Sequence, residues 1–269
     1  MLVIGENINA SNRSVAEAIV RRDDEFFTNL ARAEAQAGAD FVDVNAGSGY
    51  GSLRETISAI RWLVGIVQSA IDKPLTIDSD SPEMIEAALE EYEGDRVIIN
   101  SVTAEPLRLQ SIGPLVAERN AWVVALAMGT EGIPALVEER VEACEQIMAY
   151  LSGLGVKEGQ VLFDPLVLPI AVDTRQGLVT LQTIEEIKSR YPEARIVMGL
   201  SNISYGLPKR KLVNRAFLLM AAYAGLDAVI VDPLDSKAMS LIRVADMLTG
   251  KDPSCRAYLR AHRRGSIVD

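Results

Sequence analysis

The sequence predicts a single (β/α)8 barrel, or TIM barrel, as one domain spanning residues 1–269. Three observations support this prediction. The chain has 269 residues, close to the ~250 typical of one such barrel. Eight short apolar runs recur along it, and each ends in polar residues. Segments with helical spacing lie between the runs, and eight alternating pairs of strand and helix make up this fold.

The apolar runs are rich in β-branched residues and almost continuously hydrophobic. Strands buried on both faces, as in a parallel sheet, show this pattern. The predicted strands are Leu2–Ile8, Phe41–Asn45, Leu75–Asp78, Arg96–Asn100, Trp122–Met128, Val161–Asp164, Ile196–Asn202 and Asp227–Asp232. An open doubly wound sheet is the alternative. It usually has fewer strands and a glycine-rich first turn, and the first strand here ends in GENIN without the GxGxxG fingerprint.

The connecting segments show apolar residues at steps of three and four. In chain order they are 14–37, the segment with Ile57, Ile60, Val64 and Val67, the one that begins at Ser81, 105–119, 134–153, 180–190, the one with Leu212, Ala216, Leu219 and Tyr223, and 236–249. Ser81 is expected to cap a helix because Pro82 suits the first helical turn. Gly225 and Gly250 lie where helix C-terminal caps are expected.

Composition and charge exclude several classes of protein. The net charge of −10 argues against nucleic-acid binding, which needs a basic surface. The longest apolar stretch, Ala121–Met128, is far shorter than the ~20 residues of a membrane span. The N-terminus lacks the pattern of a signal peptide, so we expect a soluble, cytoplasmic protein. One histidine and two cysteines are too few for a disulfide framework or a His/Cys zinc site.

Acids and amides dominate the predicted carboxyl ends of the strands, where the active site of such a barrel lies. In chain order these residues are Glu6, Asn7, Asn9, Asp43, Asn45, Asp78, Ser79, Asp80, Asn100, Ser101, Asp164, Ser201, Asn202, Asp232 and Asp235. The same residue types also serve as helix caps and turn formers. Several nevertheless follow their strands directly, so they are expected to converge on one pocket.

This set of side chains restricts the chemistry. With no His, Cys or Lys at a strand end, Ser-His or Cys-His nucleophiles and Schiff-base chemistry are disfavoured. Two ligands fit. Magnesium or manganese suits a cluster of Asp43, Asp78 and Asp164. A flat heterocycle such as a 2-amino-4-oxo pterin also fits, because carboxylates accept hydrogen bonds from its N–H edge and asparagine both donates and accepts.

The strand-end motifs, in their order and spacing, resemble those of the pterin-binding methyltransferases. The motifs are GENIN, DVNAG, TIDSD, IINS, FDPL and GLSN. The likeness is greatest to the methyltetrahydrofolate:corrinoid methyltransferases. It covers essentially the whole chain, through LVNRAFL at Leu212–Leu218. Each motif alone is weak evidence, whereas six in register are strong evidence.

The resemblance implies a role for each matching residue. Asp78, Asn100 and Asp164 match the positions that hydrogen-bond the pterin edge. Asn202 matches the asparagine that reaches toward N5 of the folate. The family reaction is methyl transfer between N5 of tetrahydrofolate and the cobalt of a corrinoid, in either direction. Asn202, Asp78 and Asp164 are therefore the implied catalytic residues, with Asn202 accepting a hydrogen bond from protonated N5.

The remaining implied contacts and partners lie around that pocket. Gly199 and Ser201 match the strand that lines it, and Arg210 matches a loop arginine that faces the p-aminobenzoate–glutamate tail. Tyr205 departs from the family, whose members carry a polar amide there. Corrinoid domains contain a DxHxxG motif, and the only histidine here, His262, lacks it. The corrinoid is therefore expected on a separate protein, and the resemblance also implies a homodimer.

Three other functions stay open at this level. Dihydropteroate synthases resemble the chain at the pterin-binding strands, but they use a lysine near the end of the seventh strand. Here that segment reads GLSNIS, and Lys209 and Lys211 come several residues later. A non-catalytic folate-binding subunit is the second alternative, and a magnesium-dependent barrel enzyme is the third.

Overall fold

A computed structural model describes residues 1–47 and 51–268. Eight parallel strands close into one barrel in chain order, so the predicted (β/α)8 fold is confirmed. The strands are β1 (Leu2–Gly5), β2 (Phe41–Val44), β3 (Leu75–Asp78), β4 (Val97–Val102), β5 (Trp122–Leu126), β6 (Val161–Asp164), β7 (Arg195–Gly199) and β8 (Ala228–Val231). All eight overlap the predicted apolar runs.

Helices follow the strands and pack on the outside of the barrel. Within the described ranges they are α1 (Arg13–Arg21), α2 (Asp24–Ala37), α3 (Leu53–Ala70), α4 (Pro82–Glu91), α5 (Pro106–Glu118), α6 (Val137–Gly153), α7 (Gln176–Arg190), α8 (Arg210–Ala224), α9 (Ser236–Leu248) and α10 (Arg256–Arg263). Ser81 caps α4 as predicted, accepting from the Met84 backbone N–H. Gly225 caps α8 with φ at 124°. No helix in this part of the chain is long and apolar enough to cross a membrane.

The predicted helix 14–37 is two helices. Arg22 adopts the left-handed conformation at φ 51°, and its N–H closes the end of α1. Asp23 then caps α2 by accepting from the Phe26 N–H at 3.0 Å. The apolar spacing runs through this break, which explains why the pattern alone did not reveal it. A left-handed turn at arginine carries no sequence signal of the kind that glycine gives.

Two strands, β1 and β7, end three residues earlier than predicted. β1 stops at Gly5 because the Asn7 N–H bonds to the Glu34 carboxylate at 2.9 Å instead of joining the sheet. β7 stops at Gly199 and continues as a 3-10 turn over Leu200–Ser204. Both segments lie at the carboxyl end of the barrel, so their polar side chains belong to loops at the mouth.

The interior of the barrel has an apolar floor. Its buried cluster takes one residue from every strand except β3: Ile4, Phe41, Ile98, Val124, Leu162, Val197 and Ala228. Thr76 fills the place in β3, since it is in register with Ile98. Side chains alternate along a strand, so the residue two positions beyond each of these also faces the interior. That next layer is the mouth of the barrel.

Candidate active site at the barrel mouth

A polar cavity of about 760 Å³ opens at the carboxyl ends of the strands. Its size suits a small-molecule ligand. Six of the seven predicted site residues line it, namely Asp78, Asn100, Gly199, Ser201, Asn202 and Arg210. Among its other lining residues are Glu6, Asn7, Asp43, Lys211, Asn214, Arg215 and Asp232. The fold therefore brings together strand-end residues that are more than one hundred positions apart in the chain.

Strand alternation explains how the acids and amides converge. Asp78 lies two residues beyond Thr76, and Asn100 lies two beyond Ile98, so both point into the interior. The two residues are also paired in register across β3 and β4. Asp78 and Asn100 are thus adjacent on one wall of the cavity. The carboxylate of Asp78 accepts hydrogen bonds, and the amide of Asn100 both donates and accepts them.

Asp78 is held by Asn45, which directly follows β2. Its Oδ2 accepts a hydrogen bond from Asn45 Nδ2 at 2.8 Å. Burial raises the pKa of Asp78, and this effect outweighs the hydrogen bond from Asn45 and the charge of Arg108, which both lower it. The carboxylate is therefore oriented by its partners and costly to keep ionised without a ligand.

Asp43 lies beside Asn100. It is 2% exposed and interacts with the Asn100 side chain. Burial and the nearby Asp78 carboxylate raise its pKa well above the ordinary range. Two adjacent buried carboxyl groups repel each other when both are ionised. The pair therefore holds a proton more readily than either group would alone. The hydrogen bond between Asp43 and the Asn100 side chain opposes this shift and fixes which way that amide is turned.

Asp164 is the predicted residue that does not reach the cavity wall. It follows Leu162 by two positions and so faces the interior at the end of β6, but it is only 9% exposed. Its Oδ1 accepts from the Leu166 N–H at 2.8 Å. Burial raises the pKa of Asp164 to about 7, partly opposed by this hydrogen bond and by Arg140.

The 3-10 turn after β7 presents Asn202 on the opposite side of the cavity. Gly199 leaves room for it, because a Cβ at that position would lie 3.3 Å from Asn202 Nδ2. In the same turn the Ser201 hydroxyl donates to Glu6 Oε1 at 3.2 Å. Burial raises the pKa of Glu6.

Arg210 closes the rim at the start of α8. Its guanidinium donates to the Ser201 carbonyl at 2.7 Å and to Ser204 Oγ at 3.1 Å. It also lies 5.9 Å from the centre of the Tyr205 ring. Tyr205, at the position that departs from the family pattern, is 67% exposed. Arg210 therefore places a positive charge beside an aromatic surface at the edge of the cavity.

Sequence reasoning missed Arg108, which joins two of the loops around the site. From α5 its side chain donates to the carbonyls of Ser79 at 2.8 Å, Asp80 at 2.5 Å and Ser101 at 2.7 Å. These carbonyls follow Asp78 and Asn100 directly in the chain. One guanidinium thus joins the ends of β3 and β4. The only sequence signal for this role is the position of Arg108 in the first turn of a helix near the mouth of the barrel.

Glu34 was also missed. It is fully buried on α2, with Oε1 on the Asn7 N–H at 2.9 Å and Oε2 without a hydrogen-bond partner. Glycine at position 5 makes its burial possible, since a Cβ there would lie 2.6 Å from Oε1. Burial raises the pKa of Glu34 from 4.5 to about 7, and the charges of Asp232 and Glu6 add to this effect.

The raised pKa of Glu34 predicts a pH-dependent stability. The folded state keeps this proton up to about pH 7, whereas the unfolded state loses it near pH 4.5, so stability falls as pH rises between those values. We expect Glu34→Gln to gain on the order of 3 kcal/mol relative to wild type between pH 5 and pH 8. Urea denaturation at both pH values measures this, with the exposed Glu17→Gln as control. Equal pH dependence in wild type and Glu34→Gln would contradict the assignment.

Metal binding was one of the two ligand classes left open. Across residues 1–47 and 51–268, no three His, Cys, Asp or Glu side chains are grouped so that they could hold a metal ion. Asp43 and Asp78 are close, and the charge of Asp78 raises the pKa of Asp43. The arrangement is better suited to a ligand with N–H donors.

Comparison with known proteins agrees with a pterin-binding site at the barrel mouth. A family model described as pterin binding enzyme matches residues 5–232. The chain is 34% identical over 269 residues to the methylcorrinoid:tetrahydrofolate methyltransferase of Eubacterium limosum, covering 99% of this chain and 98% of that protein. It is 32% identical over 259 residues to the methionine synthase of Mycobacterium tuberculosis. That match covers 91% of this chain but only 21% of the larger protein.

Solved structures with the same architecture include dihydropteroate synthases. The enzyme of Yersinia pestis in complex with a pterine-sulfa conjugate has a TM-score of 0.70 at 14% identity, covering 93% of each chain. The enzyme of Xanthomonas albilineans in complex with 7,8-dihydropteroate has a TM-score of 0.65 at 20% identity, covering 91% of this chain. At these identities the likeness shows the fold alone.

Proposed function

The chain belongs to the pterin-binding enzyme family, and on that premise we propose that it moves a methyl group between N5 of tetrahydrofolate and the cobalt of a corrinoid carried by a separate protein. One observation carries the proposal. Asp78 and Asn100, paired on one wall, share a single cavity with Asn202 on the other. The whole-length similarity to a methylcorrinoid:tetrahydrofolate methyltransferase supports it.

The wall formed by Asp78 and Asn100 suits the edge of a pteridine. A carboxylate accepts from the ring N–H and amino groups, and an amide can donate to the ring oxygen while accepting from an N–H. Hydrogen bonds to a charged acceptor are the stronger kind. Asp164 belongs to the same interior layer, deeper than the cavity wall, and is proposed to be a further acceptor for the ring.

Asn202 is proposed to act at N5. The N5 position is an amine and a poor leaving group, so it must gain a proton as the methyl group departs to cobalt. In the opposite direction the proton leaves as the N5–CH3 bond forms. The asparagine amide is not an acid near neutral pH, but its oxygen accepts from the protonated N5. A hydrogen bond that strengthens as charge develops lowers the barrier.

The rim of the cavity is proposed to hold the folate tail and to receive the corrinoid. Arg210 presents a positive charge next to the Tyr205 ring, which fits a p-aminobenzoate–glutamate group. A corrinoid needs its own binding domain, and the only histidine of this chain, His262, lies exposed on α10 outside a DxHxxG motif. A partner protein therefore supplies the corrinoid at the open mouth.

The dihydropteroate synthase alternative is disfavoured by the segment after β7. That segment carries Asn202 where a synthase lysine is expected. Lys211 lines the cavity from α8, but its ammonium group faces Asp235 at 3.5 Å. The cavity therefore has a cation near its rim, held by a carboxylate, and no lysine on the strand end itself.

Corrinoid absorbance tests the proposed reaction directly. Purified protein is mixed anaerobically with tetrahydrofolate and methylcobalamin, and separately with 5-methyltetrahydrofolate and cob(I)alamin. The proposal predicts interconversion of the methylcobalamin and cob(I)alamin spectra in at least one mixture. A folate-dependent rise in melting temperature without any spectral change would instead indicate a non-catalytic folate-binding protein. Activity lost on adding a chelator would favour the magnesium-dependent alternative.

We further propose that two copies associate through α7 and α8. An apolar groove of about 420 Å³ lies between these helices, lined by residues such as Leu178, Leu212 and Met220. These three side chains are 60%, 70% and 50% exposed. Contiguous exposed apolar surface of this kind is typical of a protein interface.

The dimer proposal predicts a measurable change in mass. Light scattering should give twice the chain mass for wild type and about the chain mass for Leu178→Glu combined with Met220→Glu, because buried charges oppose association. Leu248→Glu, at a 71% exposed site on α9, is the matched control and should remain dimeric. A monomeric wild type at micromolar concentration would contradict the proposal.

A further inference from the structure

Arg140 is a buried cation that the proposed chemistry does not use. It lies on α6 with no exposed surface and is the largest fully buried side chain described. Its guanidinium makes four hydrogen bonds, all to neutral acceptors: Pro134 O at 3.0 Å, Pro165 O at 3.0 Å, Leu166 O at 2.8 Å and Gln176 Oε1 at 2.7 Å. Burying a charge is costly unless it is paired and hydrogen-bonded, so the use of arginine here is explained by the contacts that it makes.

The contacts of Arg140 converge on the turn that follows Asp164. The carbonyl of Pro165 and the N–H of Leu166 belong to the same peptide group. Arg140 Nη1 binds that carbonyl, and the N–H at the other end donates to Asp164 Oδ1 at 2.8 Å. Fixing one end of a rigid peptide fixes the other, so Arg140 determines where the hydrogen bond to Asp164 points.

The backbone of this turn is held in an unfavourable conformation. Leu166 has φ at 64°, in the left-handed region that residues other than glycine rarely adopt. Its carbonyl accepts from both Arg140 Nη1 and Thr180 Oγ1, at 2.8 and 3.2 Å. A strained residue persists only where surrounding contacts define it, and Arg140 supplies two of these contacts, to the carbonyls of Pro165 and Leu166.

Arg140 also acts on Asp164 through its charge. The described groups that affect this carboxyl are the Arg140 guanidinium, which lowers its pKa, and the Leu166 N–H, which lowers it too. The Cys144 thiol, also on α6, lies close enough to respond to Asp164. On the neighbouring strand β5, the residue in register with Asp164 is the uncharged Leu126. Among the described residues, Arg140 is thus the cation that offsets the cost of ionising the buried Asp164 carboxyl group.

We propose that Arg140 is a positioning residue for pterin binding: through the Pro165–Leu166 peptide it keeps Asp164 turned toward the barrel axis, and through its charge it favours the ionised form of that carboxyl group. The inference rests on the proposed function, because it gives Asp164 a pteridine N–H group to bind. Asp164 reaches a ligand only in the orientation and charge state that Arg140 maintains.

The first measurement needs no ligand. Carbon-13 NMR follows the Asp164 carboxyl signal against pH, with Asp164→Asn identifying the peak. Loss of the nearby positive charge should raise the midpoint in Arg140→Gln by about one pH unit or more. Arg140→Lys, which keeps the charge, should move it less. An unchanged midpoint in Arg140→Gln would overturn the electrostatic part of the proposal.

The second measurement is the affinity for 5-methyltetrahydrofolate between pH 5.5 and 9, by calorimetry. We expect Arg140→Gln to move the acid limb of binding to higher pH by the same interval, with about ten-fold weaker binding near pH 7. Thr180→Val is the matched control, because it removes another contact to the Leu166 carbonyl without changing charge. It should lower stability and leave the pH profile in place.

The outcomes separate the inference from the proposed function. Wild-type protein that fails to bind 5-methyltetrahydrofolate would refute the proposed function, whatever the NMR titration shows. Wild-type binding with the same pH profile in Arg140→Gln and Thr180→Val would refute the role of Arg140 alone. If Arg140→Gln does not fold, Arg140→Lys still tests the positioning, because lysine keeps the charge without the planar guanidinium. Wild-type affinity in Arg140→Lys would show that binding the carbonyls of both Pro165 and Leu166 is not needed.

Discussion

Replacing Asn202 with alanine is expected to slow single-turnover methyl transfer by about 10²–10³-fold at saturating folate. The physical reason is that the amide oxygen accepts a hydrogen bond from N5 only when N5 carries a proton. Its stabilisation therefore belongs to the transition state more than to the bound substrate. Rapid mixing with cob(I)alamin or methylcobalamin measures the rate, and folate affinity should change far less than the rate.

The control for this variant is Asn29→Ala, at an exposed position on α2. It removes the same side chain outside the barrel mouth and should leave the rate unchanged. Asn202→Asp keeps the shape and tests whether an acceptor alone suffices. An unchanged single-turnover rate in Asn202→Ala would remove Asn202 from the chemistry, whereas a loss of folate affinity alone would make it a binding residue.

Asp78→Asn is expected to weaken binding of 5-methyltetrahydrofolate by about 10²–10³-fold. Each hydrogen bond to a charged acceptor contributes about 1.5–3 kcal/mol, and the carboxylate can accept two from a pteridine edge. The asparagine has nearly the same shape and can still accept from Asn45, so the wall should remain intact. Calorimetric titration under anaerobic conditions measures the affinity.

The pH dependence of binding gives a second readout for Asp78. Because burial raises the pKa of this carboxyl, wild-type affinity should fall as pH drops through the raised value, where the acceptor is lost to protonation. Asp78→Asn should lack this part of the acid limb. Asp72→Asn, at an exposed position, is the control. Wild-type affinity in Asp78→Asn would show that the pteridine does not bind at this wall.

The sequence was most informative where burial and chain direction alone decide the structure. A strand inside a parallel barrel is apolar on both faces, so runs such as Val161–Asp164 could be located to within a few residues. The break at Arg22 could not be found, because the residues on either side keep one apolar face and arginine gives no turn signal. The early end of β1 depends on Glu34, a contact from another element that no local pattern records.

The candidate site divides in the same way. Side-chain alternation predicts that Asp78, Asn100 and Asp164 face the interior of the barrel, and the structure places them there. The residues that hold them were not predictable. Arg108 and Arg140 bind backbone carbonyls, which every residue possesses, so no sequence pattern distinguishes these arginines from those on a solvated helix face. The depth of Asp164 also depends on the turn at Leu166, whose conformation is unusual for leucine.

A crystal structure of the protein soaked with 5-methyltetrahydrofolate tests the central claim most directly. The account predicts one pteridine ring in the mouth of the barrel, with its N–H edge within about 3 Å of Asp78, Asn100 and Asp164. It also predicts that N5 lies on the side of Asn202. A ring bound elsewhere, or a ring in the mouth that none of these carboxylates and amides contacts, would contradict the account.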